Sequence, residues 1–300
     1  MAVQSGYAAS PLNLYSLPNE VLVSILTPFP TRSLLPLTVV SHRFHALILR
    51  ILHYRLLIAT SLKDYKLMLE CFHPSSKLTE PHVFCKYLGT DGLSDKHEGV
   101  GSLYENCETA EQLARLGSLY SRFRPEPPME DDTGRTFLVP PTDSPAEPPQ
   151  LIKRAVHLEE FEDFSQLCTV VNLVKVVPNS SMLLSAVTIE DGTVRVWRDW
   201  LKDQSNHKDK LGISSNDPNN TRILWADTNE NVGLKLRVRE KRWNRFLPVL
   251  VHKDEELAVS YELEIEELYI RTTRLLMTLE ESLQEEQNCS KAIVFGSYRV

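Results

Sequence analysis

The chain has 300 residues, 42% hydrophobic and 24% charged, with a formal net charge of -7 and a pI near 5.8. That is ordinary composition for one large or two modest globular domains, and the acidic balance argues against a nucleic-acid binder, which normally shows a basic face. No run approaches the roughly 20 apolar residues of a membrane span; the richest stretch, 47–57, is broken by Arg50, His53 and Arg55.

Residues 1–13 carry no periodic pattern and are expected to be disordered. The first ten show neither a basic n-region nor an apolar h-region, so no secretory signal is expected. The five cysteines are scattered, odd in number and without a Cys-x-x-Cys pair, which suits reduced thiols in the cytoplasm or nucleus.

Residues 14–60 read as three short helices. Ser16 is a candidate N-cap, Pro18 fits a first turn, and Glu20 suits the positive helix end. Val21, Leu22, Ile25 and Leu26 form an apolar stripe at helical spacing, stopped by Pro28 and Pro30. Thr31 or Ser33 can cap a second helix carrying Leu34, Leu35 and Leu37. A third pattern spans 39–55 through Val40, Phe44, Leu47, Ile48, Ile51 and Leu52. Three such helices in about forty residues bury little by themselves, so the unit is expected to be completed by a partner or by the rest of the chain.

The series Leu17-Pro18-x-Glu20-Val21-Leu22-x-x-Ile25-Leu26, Leu34-Leu35-x-Leu37 and Val39-Val40-Ser41-His42-Arg43-Phe44 resembles the F-box motif. The resemblance implies docking on a Skp-type adaptor, and through it on a cullin and a RING subunit. It also implies that Leu17, Pro18, Glu20, Ile25, Leu26, Leu37, Val40 and Phe44 supply the adaptor-facing or packing surface. The family often has a Trp near the end of the third helix, where this chain has His53-Tyr54-Arg55.

Beyond the helices, residues 61–123 open a β-rich region. The stretch 65–71 alternates with period two as a strand, 74–101 is rich in turn formers, and 109–121 reads as a helix. Residues 124–150 hold eight of the eighteen prolines and the acidic run Glu130-Asp131-Asp132, and are expected to be a disordered loop. From 151 to 285 the signals are mostly β. Strands are expected at 169–177, 183–189, 193–197, 223–225 and 232–238, with Asp191-Gly192 as a hairpin turn. Alternation from Leu257 to Ile265 favours strand over helix, continuing through Leu275 and Met277, with helix expected only from Leu279 to Gln287; residues 286–300 form a tail. The fold class expected is α+β: a small N-terminal three-helix F-box followed by a β-rich antiparallel sandwich. The strand order resembles the phloem-lectin-like β-sandwich that follows some F-boxes, and the combination resembles fungal F-box proteins.

No motif of catalysis or phosphate binding is present, so the chain is read as a non-catalytic subunit without cofactor, metal or catalytic residues. Cys71, His73, His82 and Cys85 lack a finger spacing. Trp197 and Trp225 lie in apolar strand patterns and are expected in the core, whereas Trp200 and Trp243 lie in polar surroundings. The basic run 235–245 is expected to be a solvated strand face that offsets nearby glutamates, the alternative being a dock for an acidic or phosphorylated segment. Trp200, Arg242 and Trp243 are the candidate substrate contacts. The expected role is the substrate receptor of an SCF-type ubiquitin ligase with a protein or glycoprotein target; the alternative is a lectin-like carbohydrate-binding module. Nucleic acid and membrane are not expected partners.

Overall fold

The computed structural model describes residues 14–77, 79–97, 99, 101–127, 129–130, 136–137, 151–176, 183–206, 223–241 and 258–288. They form two compact units that divide between Arg55 and Leu56.

The first unit is helical. A 3₁₀ turn (Leu14–Ser16) precedes α1 (Asn19–Leu26); α2 (Thr31–Leu34) runs on into a 3₁₀ segment (Leu35–Val39); α3 spans His42–Thr60, its last turn lying in the second unit. Pro18, not Ser16, occupies the capping position of α1, and Pro30 that of α2. Proline has no N–H for a preceding helical turn, so each marks a sharp start. Ser41 begins α3: its hydroxyl accepts from the Phe44 N–H at 3.2 Å and its carbonyl from the His45 N–H at 2.9 Å. This cap sets the helix start at His42 rather than 39.

The second unit is a curled antiparallel sheet. Its described strands are β1 (Tyr65–Phe72), β2 (Val83–Thr90), β3 (Tyr120–Glu126), β4 (Met129–Glu130), β5 (Thr136–Phe137), β6 (Ile152–Leu158), β7 (Phe164–Val176), β8 (Leu183–Trp197), β9 (Ile223–Trp225), β10 (Val232–Glu240) and β11 (Val259–Arg271). Among the described residues, nine of these make one sheet in the order β8-β7-β1-β2-β3-β11-β10-β9, with β6 also paired to β11; β4 and β5 pair separately. Three helices accompany it: α4 (Thr109–Gly117), α5 (Arg198–Asn206) and α6 (Thr272–Asn288). The expected α+β class, N-terminal helices followed by a β-rich antiparallel domain, is observed.

The two ends of the sheet approach each other. A Cβ on Gly192 of β8 would stand 2.5 Å from the carbonyl oxygen of Ala226, just past β9. The sheet is therefore nearly closed, and its inward side chains meet in one core. Leu67, Leu69, Phe123, Leu167, Leu173, Val196, Leu234, Leu263 and Ile265 belong to it, joined by Leu201 of α5 and Leu275 of α6. Bulges ease the curl: Ile189 is the extra residue of β8 against Val171/Asn172, and Glu266 the extra residue of β11 against Lys235/Leu236. A buried chain of hydroxyls, Tyr87–Thr90–Ser121–Thr272, with successive oxygens 2.9, 2.8 and 3.0 Å apart, joins β2, β3 and the start of α6.

Four expectations are corrected here. Asp191-Gly192 is not a hairpin turn: β8 runs unbroken through it, paired with β7 from Trp197 to Leu183. Residues 272–278 are helix, not strand, because α6 begins immediately after Arg271. The turn-rich 74–101 contains β2, and Arg124–Glu126, placed in the Pro-rich loop, are the end of β3. Most of that loop, the first 13 residues and the tail beyond 288 lie outside the described residues.

Gly192 owes its identity to this close approach. Gly192→Ala is expected to cost about 1–3 kcal/mol of overpacking, read as a lowered urea midpoint with unchanged far-UV circular dichroism; an unchanged midpoint would show that the seam gives way freely.

Candidate functional site

The helical unit is assembled around two arginines of α3. Arg43 donates from Nε to Asn19 Oδ1 at 2.8 Å and from Nη2 to the Leu17 carbonyl. This draws the Leu-Pro-x-Glu segment against the start of α3. Arg55 donates to Thr31 Oγ1 at 3.0 Å and to the carbonyls of Thr27 and Phe29 at 2.9 and 2.6 Å, fixing the link between α1 and α2. A guanidinium presents several donors in a fixed fork, which lets one side chain hold a turn that lacks a ladder of its own.

With the backbone so held, the sequence-predicted residues sort into two groups. Leu26 and Phe44 are buried, with Leu22, Leu34, Leu47 and Ile48, and serve packing. Pro18 and Glu20 are exposed, Leu17 and Leu37 half-buried, and Ile25 and Val40 are 45% and 53% exposed. Along α1, Leu22 and Leu26 share the buried side while Val21 and Ile25, also four apart, share the exposed one. Sequence reasoning missed Val39, which is 87% exposed, and Phe29 and Leu35, which are also exposed. The signal was present in Leu35-Pro36-Leu37-Thr38-Val39-Val40, where Thr38 is the one polar residue in a segment that faces water on one side. The result is a set of branched apolar side chains held in solvent on a fixed backbone.

Of the candidate substrate contacts, Trp200 lies among the described residues. Trp200 is half-buried and packs against the sheet core, while Trp197, expected in the core, is 48% exposed on the outer face of β8. The strand register explains the exchange, because Val196 and Val194 take the inward positions and leave Trp197 and Arg195 outside. Trp225 is likewise on the outer side, half-buried over Gly233, where a Cβ would stand 2.6 Å from its ring. Arg242 and Trp243 lie outside the described residues.

The described part of the basic run faces glutamates of β11. Lys235 lies 3.6 Å from Glu267, and Arg239 3.0 Å from Glu264, while Arg237 pairs with Glu266. From the other side Lys153 of β6 reaches Glu262 at 2.8 Å, and this bond holds the Glu262 carboxyl below its usual range. These cations are engaged within the sheet rather than presented as a cradle for phosphate.

Cys71, His73, His82 and Cys85 do not converge. The two cysteines belong to the inward side of β1 and β2, His73 engages Ser75 at 2.6 Å, and His82 stacks edge-on against Phe84. Among the described residues no three His, Cys, Asp or Glu side chains are grouped to hold a metal ion. Burial pushes the Cys71 thiol up to about 12, partly opposed by nearby Arg154.

Two outcomes follow. Arg43→Ala leaves the Leu17 carbonyl and Asn19 without their donor and is expected to cost about 1–3 kcal/mol; Arg43→Lys, lacking the fork, should recover only part of it in the same urea titration. Burial raises the thiol pKa and so disfavours the reactive thiolate at neutral and mildly alkaline pH. Native iodoacetamide labelling followed by mass spectrometry should leave Cys71 unmodified until denaturant is added.

In comparison with known proteins, residues 14–59 match the F-box-like family model. No curated protein and no solved structure matches the chain in the corresponding searches. The matched residues are those of the arginine-braced helices and their exposed apolar side chains: the chain carries an F-box-like domain at its N-terminal end.

Proposed function

We propose that this protein is the substrate-receptor subunit of an SCF-type ubiquitin ligase. Its helical unit docks on the Skp-type adaptor, which connects it to a cullin and a RING subunit, and its β-rich unit holds the target. The observation that carries the reading is the exposure of Val21, Ile25, Val39 and Val40 within the segment matching the F-box-like family. Fully burying one such side chain is worth about 1.5–3 kcal/mol, so a few of them suffice to anchor a partner whose groove accepts helices. Pro18 and Glu20 stand exposed on the same α1 start that Arg43 fixes, and the Glu20 carboxylate supplies a polar edge that sets register.

F-box proteins are generally non-catalytic adaptors. In that role the chain contributes proximity: holding a target beside the ubiquitin-charged enzyme raises the effective concentration of its lysines. The cytoplasm or nucleus, where such ligases work, suits the free thiols Cys71, Cys85, Cys107 and Cys168. Among the described residues no helix is long and apolar enough to cross a membrane. The carbohydrate-binding alternative rests on Trp200 and Trp243, and Trp200 is committed to packing against the core.

Co-expression of the full chain with a Skp-type adaptor should give a complex on size exclusion. Ile25→Asp and Val40→Asp, on exposed positions, should abolish the complex without lowering thermal stability. Leu26→Ala and Phe44→Ala should instead cost about 2–5 kcal/mol of folding stability. A wild-type chain that fails to bind the adaptor, or Asp variants that bind as well as it does, would sink this reading.

A further inference from the structure

The turn between β6 and β7 combines three properties that do not belong together by chance. Its sequence, Glu159-Glu160-Phe161-Glu162-Asp163, places one phenylalanine among four carboxylates, and Phe161 is 84% exposed. Yet its backbone is held fast. Arg198, buried at the start of α5, donates from Nε and Nη2 to the Glu162 carbonyl at 3.0 and 2.8 Å and from Nη2 to the Glu159 carbonyl. The Arg198 N–H donates to the Asp163 carbonyl at 2.8 Å, and the Glu159 N–H to Glu162 Oε2 at 2.9 Å. The backbone of the turn is therefore fixed, with Phe161 outside, and it is seated against the β8–α5 junction directly after Trp197.

Trp197, the residue before Arg198, adds a second exposed aromatic beside this turn. Its ring lies 5.0 Å from that of Phe164 in a tilted pair on the outer face, and the Arg195 guanidinium sits 5.4 Å from the Phe164 ring centre. One cation of the chain thus already uses this aromatic pair, while the exposed part of Trp197 and nearly all of Phe161 stay open to water. Around them stand the exposed carboxylates Glu159, Glu160, Asp163 and Asp199. Three cations of this region are engaged within the chain: Arg195 on Phe164, Arg198 on the turn carbonyls, and His157 against Glu159 at 3.1 Å.

We propose that this surface binds a lysine- or arginine-rich segment of another protein. Exposed aromatic rings on a rigid backbone give contact area at little ordering cost, the usual makeup of interface hot spots. The aliphatic stems of Lys and Arg lie over such rings while their charged heads reach a carboxylate rim. The surface is an outer face and turn rather than a concave pocket, which suits an extended chain more than a small molecule. Its negative rim repels nucleic acid and anionic lipid, so exposed aromatics here do not mark a membrane contact. The inference goes beyond the adaptor-docking reading and does not depend on it, since it concerns the β-rich unit alone.

The test uses the full-length protein without adaptor and a short fluorescein-labelled peptide alternating Lys and Arg with Gly and Ser, beside its glutamate counterpart. Fluorescence anisotropy at low salt should show binding of the basic peptide and none of the acidic one. Phe161→Ala and Trp197→Ala should each weaken it by about tenfold; the melting temperature should stay unchanged in Phe161→Ala, whose side chain faces water, and fall modestly in Trp197→Ala, which loses its pairing with Phe164. Glu160→Lys combined with Asp163→Lys should abolish binding, and added salt should weaken it. Glu108→Lys, an exposed reversal of charge on the residue before α4, should leave the affinity as it was. No binding by the wild-type chain, undiminished binding by the two alanine variants, or an equal loss in Glu108→Lys would overturn the proposal.

Discussion

The β-rich unit depends on the double pairing of β11. Along one edge β11 is bonded to β10 from Val232↔Ile270 to Glu240↔Tyr261; along the other it takes β6 over Val259–Ile265 and β3 over Leu268–Arg271. Tyr261, Leu263, Ile265, Leu268 and Ile270 point into the core, while Glu262, Glu264 and Glu267 point out. Those outward carboxylates draw in cations from all three neighbours: Lys153 of β6, Arg122 of β3, and Lys235, Arg237 and Arg239 of β10. The pairs of the more accessible Glu262 and Glu267 are each worth little by themselves, whereas Glu264 is buried and needs its partners. Their value lies in register, because a slip of one residue would drive the glutamates into an apolar core and strand the cations outside.

That same duality decides what the sequence discloses. Strict alternation made the first part of β11 legible, and β1, β9 and β10 were read from their own residues. The helices of the first unit were legible because their stripe and prolines are local signals. What failed had a non-local cause. Asp191-Gly192 carries the chemistry of a turn, but β7 offers thirteen residues of backbone to pair with, and the glycine is needed where Ala226 comes close. The start of α6 was hidden because Leu275 and Met277 fit a period of two as readily as a helix, and the deciding bond, from the Thr272 N–H to the Leu119 carbonyl, joins distant parts of the chain. β6 escaped notice because Arg154 sits at an inward position of an otherwise apolar alternation. It can do so only because Glu80, 3.2 Å away, and the carbonyls of Cys71 and Pro81 receive it.

The candidate docking residues show the same limit from the other side. A family motif names positions without saying which face water. Leu26 and Phe44 belong to it as firmly as Ile25 and Val40, yet the first pair is buried and the second is not. The distinction needs the helix phase, which Ser41 and the two prolines set, and the placement of α1 against α3, which Arg43 sets. For tryptophan the phase decides in the same way: Trp197, in an apolar strand pattern, takes the outer face, and Trp200, among polar neighbours, is half-buried beside Leu201 on α5.

Arginine is the recurring solution wherever regular hydrogen bonding stops. Arg43 holds the Leu17 carbonyl, Arg55 those of Thr27 and Phe29, Arg154 those of Cys71 and Pro81, Arg198 those of Glu159 and Glu162, and Arg274 that of Ile189 at the β8 bulge. An unpaired carbonyl at a turn would otherwise rely on water and leave the segment free to move. A charged donor with a planar fork gives stronger bonds than a neutral one and fixes direction as well as distance. The segments braced in this way include the α1 start with its exposed apolar neighbours and the β6–β7 turn with Phe161. A subunit that acts by proximity gains most from stiffness at such places, since effective concentration falls off as the held partner is allowed to wander. In this chain arginine holds the irregular backbone at the start of α1, between α1 and α2 where Phe29 is exposed, and at the β6–β7 turn where Phe161 is exposed.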